Sequence, residues 1–425
     1  MPIEHTLTKI ALIVTLALLG GITLEKLRQP AVLGYILAGV LLGPSGFGIV
    51  EGRENLSLLA ELGVLMLLFV VGMELSLRSF VKIWPIVVGC VVLQIVSGLA
   101  IAFSLSNLLY WPLNLTLLLA FVFALSSTAV AVKILDTIDE LRTEMGRLTV
   151  GVLIAQDLAI VPMILIVRGM GGEAPPDFPL ITFKIGLSIG VLSLLVWYLS
   201  RRERLRLSFL RVVVGHTDLT PLVGLVCCFG AAAIAGISGL STAYGAFLAG
   251  LVIGNSNKRP VLLEHMTPIY SVLMMIFFLS VGLLLDVQFI WSHLTAILLI
   301  LLFITLGKTA LNISILHLLR QSWITSFGAG VVLAQLGEFS FLLAAVGREA
   351  GIVDTYASNL IISLTVLSLL LSPLWMTLAR QLHDLAPTRT ISLPRLLSLL
   401  YGYEVSLLKR ICKKLKKKCY ARSED

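Results

Sequence analysis

The feature that most constrains the fold of this chain is a succession of thirteen apolar runs that fill most of its length. Each run has about 17–25 residues or slightly more, the length at which an α-helix crosses a lipid bilayer. Inside a bilayer an open segment can pair its backbone groups only by forming a helix. The sequence therefore predicts an all-α polytopic membrane protein with about thirteen transmembrane helices. The runs fall at 7–25, 31–49, 56–75, 84–109, 114–134, 147–168, 180–200, 217–236, 239–256, 268–286, 291–317, 324–346 and 356–379.

Composition and charge agree with this interpretation. Only 13% of the residues are charged, against about 25% in ordinary soluble proteins. Of the 32 lysines and arginines, 26 lie after odd-numbered runs or in the C-terminal tail and 5 lie on the opposite side. Because basic loops stay in the cytoplasm, we expect the N-terminus outside and the C-terminus inside. The net charge of +8 thus reflects topology, and no nucleic-acid partner is expected.

The chain divides by composition into an apolar region and a basic tail. Residues 1–385 are predicted to form the transmembrane transport domain. Residues 386–425 form a basic cytoplasmic tail that includes the run KRICKKLKKK. Such a run is typical of contact with anionic membrane lipids.

One run carries an acidic residue at its centre, and this residue points to function. Gln156 and Asp157 lie halfway along 147–168. An ionised side chain at the bilayer centre costs roughly 2.5–3.5 kcal/mol, so such residues usually mark an ion or proton pathway. Pro162 cannot donate a hydrogen bond to the carbonyl of Leu158, which leaves a free acceptor near the carboxylate. Asp157 is therefore the main candidate for binding a monovalent cation or a proton.

The preceding run, 114–134, contributes three consecutive hydroxyls, Ser126, Ser127 and Thr128. Hydroxyls in membrane helices can simply bond a carbonyl of the preceding turn, so this structural role stays open. Together with Gln156, we expect Ser127 and Thr128 ahead of Ser126 as ligands of an ion at Asp157.

An internal repeat suggests how these runs are arranged. Residues 34–45 align with residues 245–256 at an offset of 211, and six of the twelve positions are identical. Seven runs separate the partners, so the two halves are predicted to cross the membrane in opposite directions, as in many secondary transporters. An offset of about 208 from Ser127 leads to Gln335, in LAQLGEFSFLL, which also contains Glu338. Both helices are predicted to be broken and to cross at the midplane.

Lys308 is the one basic residue deep inside an apolar run. It lies too far from either helix end to reach the membrane surface. We expect it to compensate the charge of a buried acid, either Asp157 or Glu338. Glu338 has the alternative role of capping exposed N–H groups at a helix break.

The blocks LGYILAGVLLGPSGFG, ELGVLMLLFVVGMEL, ALSSTAVAV, MGRLTVGVLIAQDLAIVP, GAFLAGLVIGNS and LAQLGEFSFLL resemble the Kef-type branch of the cation:proton antiporter-2 family. The resemblance implies an NhaA-like inverted-repeat fold, a homodimer and a moving core, in the cell membrane of a bacterium. It further implies that Asp157 binds cation or proton and that Lys308 neutralises it. Gln156 in place of a second aspartate favours potassium and one-for-one exchange.

The function expected from these features is exchange of a monovalent cation, potassium rather than sodium, for protons. A channel-like potassium efflux protein and a symporter of an organic anion remain alternatives. An enzyme is not expected, because neither an H-E-x-x-H nor a G-x-S-x-G motif is present. Kef-type systems also carry a nucleotide-binding regulatory domain. No G-x-G-x-x-G fingerprint after a strand indicates one here, and no cofactor is expected.

Overall fold

The computed structural model describes residues 3–26, 29–49, 54–74, 77–171, 178–201, 205, 218–238 and 240–385. These residues form α-helices and no β-strand, apart from one bridge between Leu205 and Ser256. The predicted tail at 386–425 lies outside them. The helices are α1 Ile3–Lys26, α2 Ala31–Leu42, α3 Glu54–Glu74, α4 Leu77–Leu109, α5 Leu113–Ala124, α6 Thr128–Thr137, α7 Glu144–Met170, α8 Phe178–Arg201, α9 Leu219–Ile237, α10 Thr242–Gly254, α11 Arg259–Leu284, α12 Val287–Ser292, α13 Leu294–Leu318, α14 Trp323–Val332, α15 Phe339–Glu349 and α16 Thr355–Leu385.

Seven helical segments of the described chain are long and apolar enough to cross a membrane, judged by length and composition. Each of the thirteen predicted runs overlaps one helix or two consecutive shorter ones, and the number of crossings stays a prediction.

Outward-facing apolar side chains are common. On α13, Leu299 is 62% and Phe303 is 67% exposed. Apolar surface on this scale fits lipid as the surrounding solvent.

The helices pack into two groups. Helices α1, α2, α3, α9, α10 and α11 contact one another, and α4 to α7 pack with α13 to α16. A cavity of about 520 Å³ lies between the groups and is lined by residues of α3, α7, α10, α11, α15 and α16.

Glycine contacts in the first group confirm the internal repeat. Gly282 of α11 packs on the backbone of α2 at Gly39, and Gly72 of α3 packs on that of α10 at Gly250. The matching residues are related by the sequence offset of 210 to 211. A Cβ on any of the four would run into the partner backbone, so only glycine permits this close helix approach.

The two predicted broken helices are present and meet. The first break separates α5 from α6 at residues 125–127, and the second separates α14 from α15 at residues 333–338. Ser126 Oγ donates to the carbonyl of Leu333 at 2.7 Å, and Gln335 Nε2 donates to the carbonyl of Ser127 at 3.2 Å. A Cβ on Gly337 would lie 2.8 Å from Ser126 O. The close crossing therefore requires a glycine in the second break.

Several helix boundaries differ from the predicted runs; α11, for example, begins at Arg259 rather than at 268. Helix α4 begins at Leu77 rather than at 84, because it continues past Lys82 beyond the apolar stretch from which the run was defined. The eleventh run is preceded by a separate short helix, α12, which Asp286 caps by accepting a hydrogen bond from Phe289 N at 2.9 Å. Hydrophobicity alone does not show either feature, since both depend on polar residues at the edge of the apolar zone.

Candidate functional site

Asp157 lies at the centre of α7, which runs without interruption through Pro162. Its side chain is 4% exposed. Thr128 Oγ1 donates a hydrogen bond to Asp157 Oδ2 at 3.1 Å. The structure therefore joins the predicted carboxylate directly to one of the predicted hydroxyls, across the contact between α7 and the start of α6.

The three consecutive hydroxyls point in different directions. Ser127 is the N-cap of α6, and its Oγ accepts a hydrogen bond from Val130 N at 3.4 Å. Thr128 is the first residue of α6, whereas Ser126 bonds to the second break. The free N–H groups and the dipole at a helix N-terminus favour negative charge nearby. Asp157 thus has a side-chain donor at a helix end that suits an anion.

Gln156 does not share the position of Asp157. Its Oε1 accepts a hydrogen bond from Ser126 N at 2.9 Å. Its Nε2 donates to the carbonyl of Ala124 at 3.1 Å and to Gln94 Oε1 at 2.8 Å. These bonds satisfy backbone groups that the first break leaves without helical partners. The geometry favours a positioning role that holds the break in place, with an ion-ligand role left as a prediction.

Two further residues extend this network, and the sequence analysis missed both. Gln94 Nε2 donates to Asn312 Oδ1 at 2.9 Å, and Asn312 Nδ2 donates to the carbonyl of Leu333 at 3.2 Å. A chain of three buried amides therefore links the first break to the second through α7, α4 and α13. Asn312 is the only amide side chain in the run 291–317, and Gln94 is the only one in the central part of the run 84–109. An amide in the middle of an apolar run was the available signal.

Lys308 lies on α13 and is 2% exposed. Its Nζ donates to the carbonyl of Leu125 at 2.6 Å and to the carbonyl of Gln335 at 3.1 Å, and it also contacts Ser126 Oγ at 3.4 Å. The acceptors come from both breaks. The predicted carboxylate partner, Asp157 or Glu338, is not among its hydrogen bonds in the described structure. Lys308 instead cross-links the two breaks through backbone oxygens.

The residues predicted on the second crossing helix have separate tasks. Gln335 donates to the first break, and Leu336 N is satisfied by Ser368 Oγ at 2.9 Å. Glu338 precedes α15 and is 9% exposed. The Ser127 hydroxyl and the Ala129 N–H face its carboxylate. Glu338 therefore lies at the N-terminal turn of α6, as Asp157 does.

The ligand atoms gathered here are carboxylate, hydroxyl and carbonyl oxygens, which suit hard cations and protons. Within the described ranges no cluster of three or more His, Cys, Asp or Glu residues could hold a metal ion.

The cavity between the helix groups approaches this site from one end. Its lining includes Ile164 on α7 and Phe341 on α15, together with Glu61, Arg168 and Arg348 nearer the helix ends. Ile164 is two helical turns from Asp157, and Phe341 is one turn from Glu338. The cavity lining therefore comes within one to two helical turns of both acids.

Comparison with known proteins gives a family and a fold. Residues 12–378 match the family described as "Sodium/hydrogen exchanger, transmembrane". The structure is similar to that of the sodium proton antiporter MjNhaP1 from Methanocaldococcus jannaschii at pH 8, with a TM-score of 0.66. That match covers 89% of this chain and 99% of the other at 19% sequence identity, so it shows a common fold.

Two similar sequences carry different names. The "Iron transporter MagA" of Paramagnetospirillum magneticum is 46% identical over 417 residues, which are 97% of this chain and 95% of that protein. A "Glutathione-regulated potassium-efflux system protein" of Haemophilus influenzae is 30% identical over 364 residues, 84% of this chain. The chain covers 58% of the Haemophilus protein, less than two thirds of its length.

Proposed function

Because the chain belongs to the sodium/hydrogen exchanger family of transmembrane proteins, we propose that it exchanges a monovalent cation, potassium before sodium, for protons. The observation that carries the proposal is Asp157, a carboxylate buried at the centre of α7 and bonded to Thr128 at the end of a broken helix. One carboxylate cannot hold a proton and a cation at the same oxygens, so loading one displaces the other.

Alternating access follows if Asp157 moves between the two sides of the membrane only when it carries a proton or a cation, and not when it is empty. Two separately packed helix groups with a cavity between them suit a motion of one group against the other. The group with the broken helices carries Asp157 and would move. The other group, α1 to α3 with α9 to α11, would form the fixed part and the interface of a homodimer.

Potassium and one-for-one, electroneutral exchange are proposed on two grounds. Gln156 stands where a second aspartate would add charge beside Asp157, and a similar protein of Haemophilus influenzae is named for potassium efflux. Iron is the second candidate cargo, because a protein 46% identical to this chain is named an iron transporter.

The test is proton movement in vesicles that contain the purified protein and a pH-sensitive dye. Potassium, sodium, lithium or ferrous iron is added outside at pH 7.5. We expect potassium, and sodium more weakly, to drive protons across the membrane without needing a membrane potential. Potassium flux without proton movement would indicate a channel-like pathway. If only ferrous iron drives proton movement, the cargo is iron and not a monovalent cation.

Orientation in the membrane gives a separate prediction. We propose a bacterial inner membrane location, with the N-terminus outside and the C-terminus in the cytoplasm. A single cysteine introduced near Arg202 should react with an impermeant thiol reagent only from the cytoplasmic side, and one near Asp177 only from outside. Both positions lie outside the described residues. The opposite labelling pattern would contradict the assigned topology.

A further inference from the structure

We propose that the ion site contains two acids, with Glu338 as a second ion-binding carboxylate that shares a single proton with Asp157 when no cation is bound. This inference rests on the proposed exchange function. It assigns Glu338 a direct role rather than only that of capping a helix break.

Three consecutive residues at the start of α6 face the two carboxylates. Thr128 Oγ1 bonds to Asp157 Oδ2 at 3.1 Å, while the Ser127 hydroxyl and the Ala129 N–H face Glu338. The acids come from different helices, α7 and the start of α15, yet both reach the first turn of α6. Both carboxylates are thereby placed at the same helix N-terminus. A cation at this turn would therefore contact both.

Glu338 is not fully satisfied by the protein. Its side chain is more than nine-tenths buried. Its Oε2 has no hydrogen-bond partner in the described part of the chain. A buried carboxylate oxygen without a donor is costly, and a structural cap would be expected to use its oxygens on N–H groups. A proton or a bound cation would supply the missing partner.

No positively charged side chain in the described part of the chain provides the missing partner of Glu338 Oε2. The Lys308 ammonium is used by backbone carbonyls, and no Lys or Arg nitrogen within the described ranges lies within 4.0 Å of either acid. The other ionisable groups that face the pair are Tyr270 of α11 and Glu74 of α3. Neither of these brings positive charge.

Proton sharing follows from the closeness of the two acids. Two adjacent carboxylates resist ionising together unless a cation lies between them. The empty site therefore keeps one proton, and an entering monovalent cation displaces it. The proton-loaded and cation-loaded sites then have the same net charge, which gives one-for-one exchange from a two-acid site.

The experiment compares potassium-driven proton exchange in vesicles from pH 6 to 9 for wild type, Glu338→Gln and Glu338→Asp. Glu264→Gln is the matched control, since it makes the same change at an exposed side chain of α11 that does not line the cavity. In Glu338→Gln we expect half-saturating potassium to rise by about tenfold or more. The pH profile should move to lower pH, because a neighbouring negative charge is lost.

Glu338→Asp keeps the charge and should restore the wild-type pH profile with a weaker potassium affinity. Glu264→Gln should behave as wild type. If Glu338→Gln leaves the potassium affinity and the pH profile unchanged, Glu338 is not a second ion-binding acid. Its role would then be only to cap the helix break. If Glu338→Gln does not fold, unchanged half-saturating potassium in Glu338→Asp overturns the proposal equally. No exchange in wild type would instead reject the proposed function itself.

Discussion

Replacing Asp157 with asparagine should abolish cation-driven proton exchange, down to the background of vesicles without protein. Asparagine has nearly the same shape, and its carbonyl oxygen can still accept the hydrogen bond from Thr128. It cannot release a proton, so no cation could exchange for one. Thermal unfolding in detergent should occur at the wild-type temperature or higher, because a neutral amide is less costly to bury than a carboxylate.

The matched control for this variant is Asp354→Asn. Asp354 caps the start of α16, where its Oδ1 accepts a hydrogen bond from Ala357 N at 2.7 Å. Asparagine is an equally good N-cap, and the position is exposed. Exchange should be unaffected there. Normal cation-driven proton flux in Asp157→Asn would remove the basis of the proposed mechanism, because Glu338 is placed in the site as a second acid beside Asp157 and not as its replacement.

Replacing Lys308 with methionine should both destabilise the protein and stop exchange. Methionine has a similar length but no donors, so the carbonyls of Leu125 and Gln335 lose their shared partner. A buried polar group left unsatisfied costs about 1–3 kcal/mol. We therefore expect the crossing point to loosen, with a clear fall in unfolding temperature. Lys258→Met, at the start of α11 and away from the breaks, is the control and should leave both measurements unchanged.

Conservative variants separate the two roles suggested for Lys308. Lys308→Arg keeps the charge and the donors and should retain more stability and activity than Lys308→Met. If Lys308 mainly compensates Asp157, Lys308→Gln should shift the pH profile of exchange towards alkaline pH. If it mainly links the breaks, Lys308→Gln should lower stability with little change in the profile. The carbonyl contacts favour the second outcome, and a stable, fully active Lys308→Met would contradict both.

Much of the architecture could be predicted from the sequence. In a chain with so few charges, a polar residue in the middle of an apolar run is easy to recognise. That contrast identified Asp157 and Lys308, as well as the helix breaks near Ser127 and Gln335. The glycine-rich repeat at 34–45 and 245–256 predicted the inverted halves. These predictions depend on local sequence and on the cost of polar groups in lipid, which act on each run separately.

Only the tertiary structure decided which polar groups meet. Lys308 lies 183 residues from the carbonyl it contacts most closely. Nothing in the residue pattern around Lys308 favours a backbone oxygen over a carboxylate as its partner. Gln156, next to Asp157 in sequence, turns to the first break and to Gln94, while Glu338 arrives at α6 from the other half of the chain. The physical reason is that the packing of distant helices fixes these directions, and hydrophobic patterning does not encode the choice of neighbour.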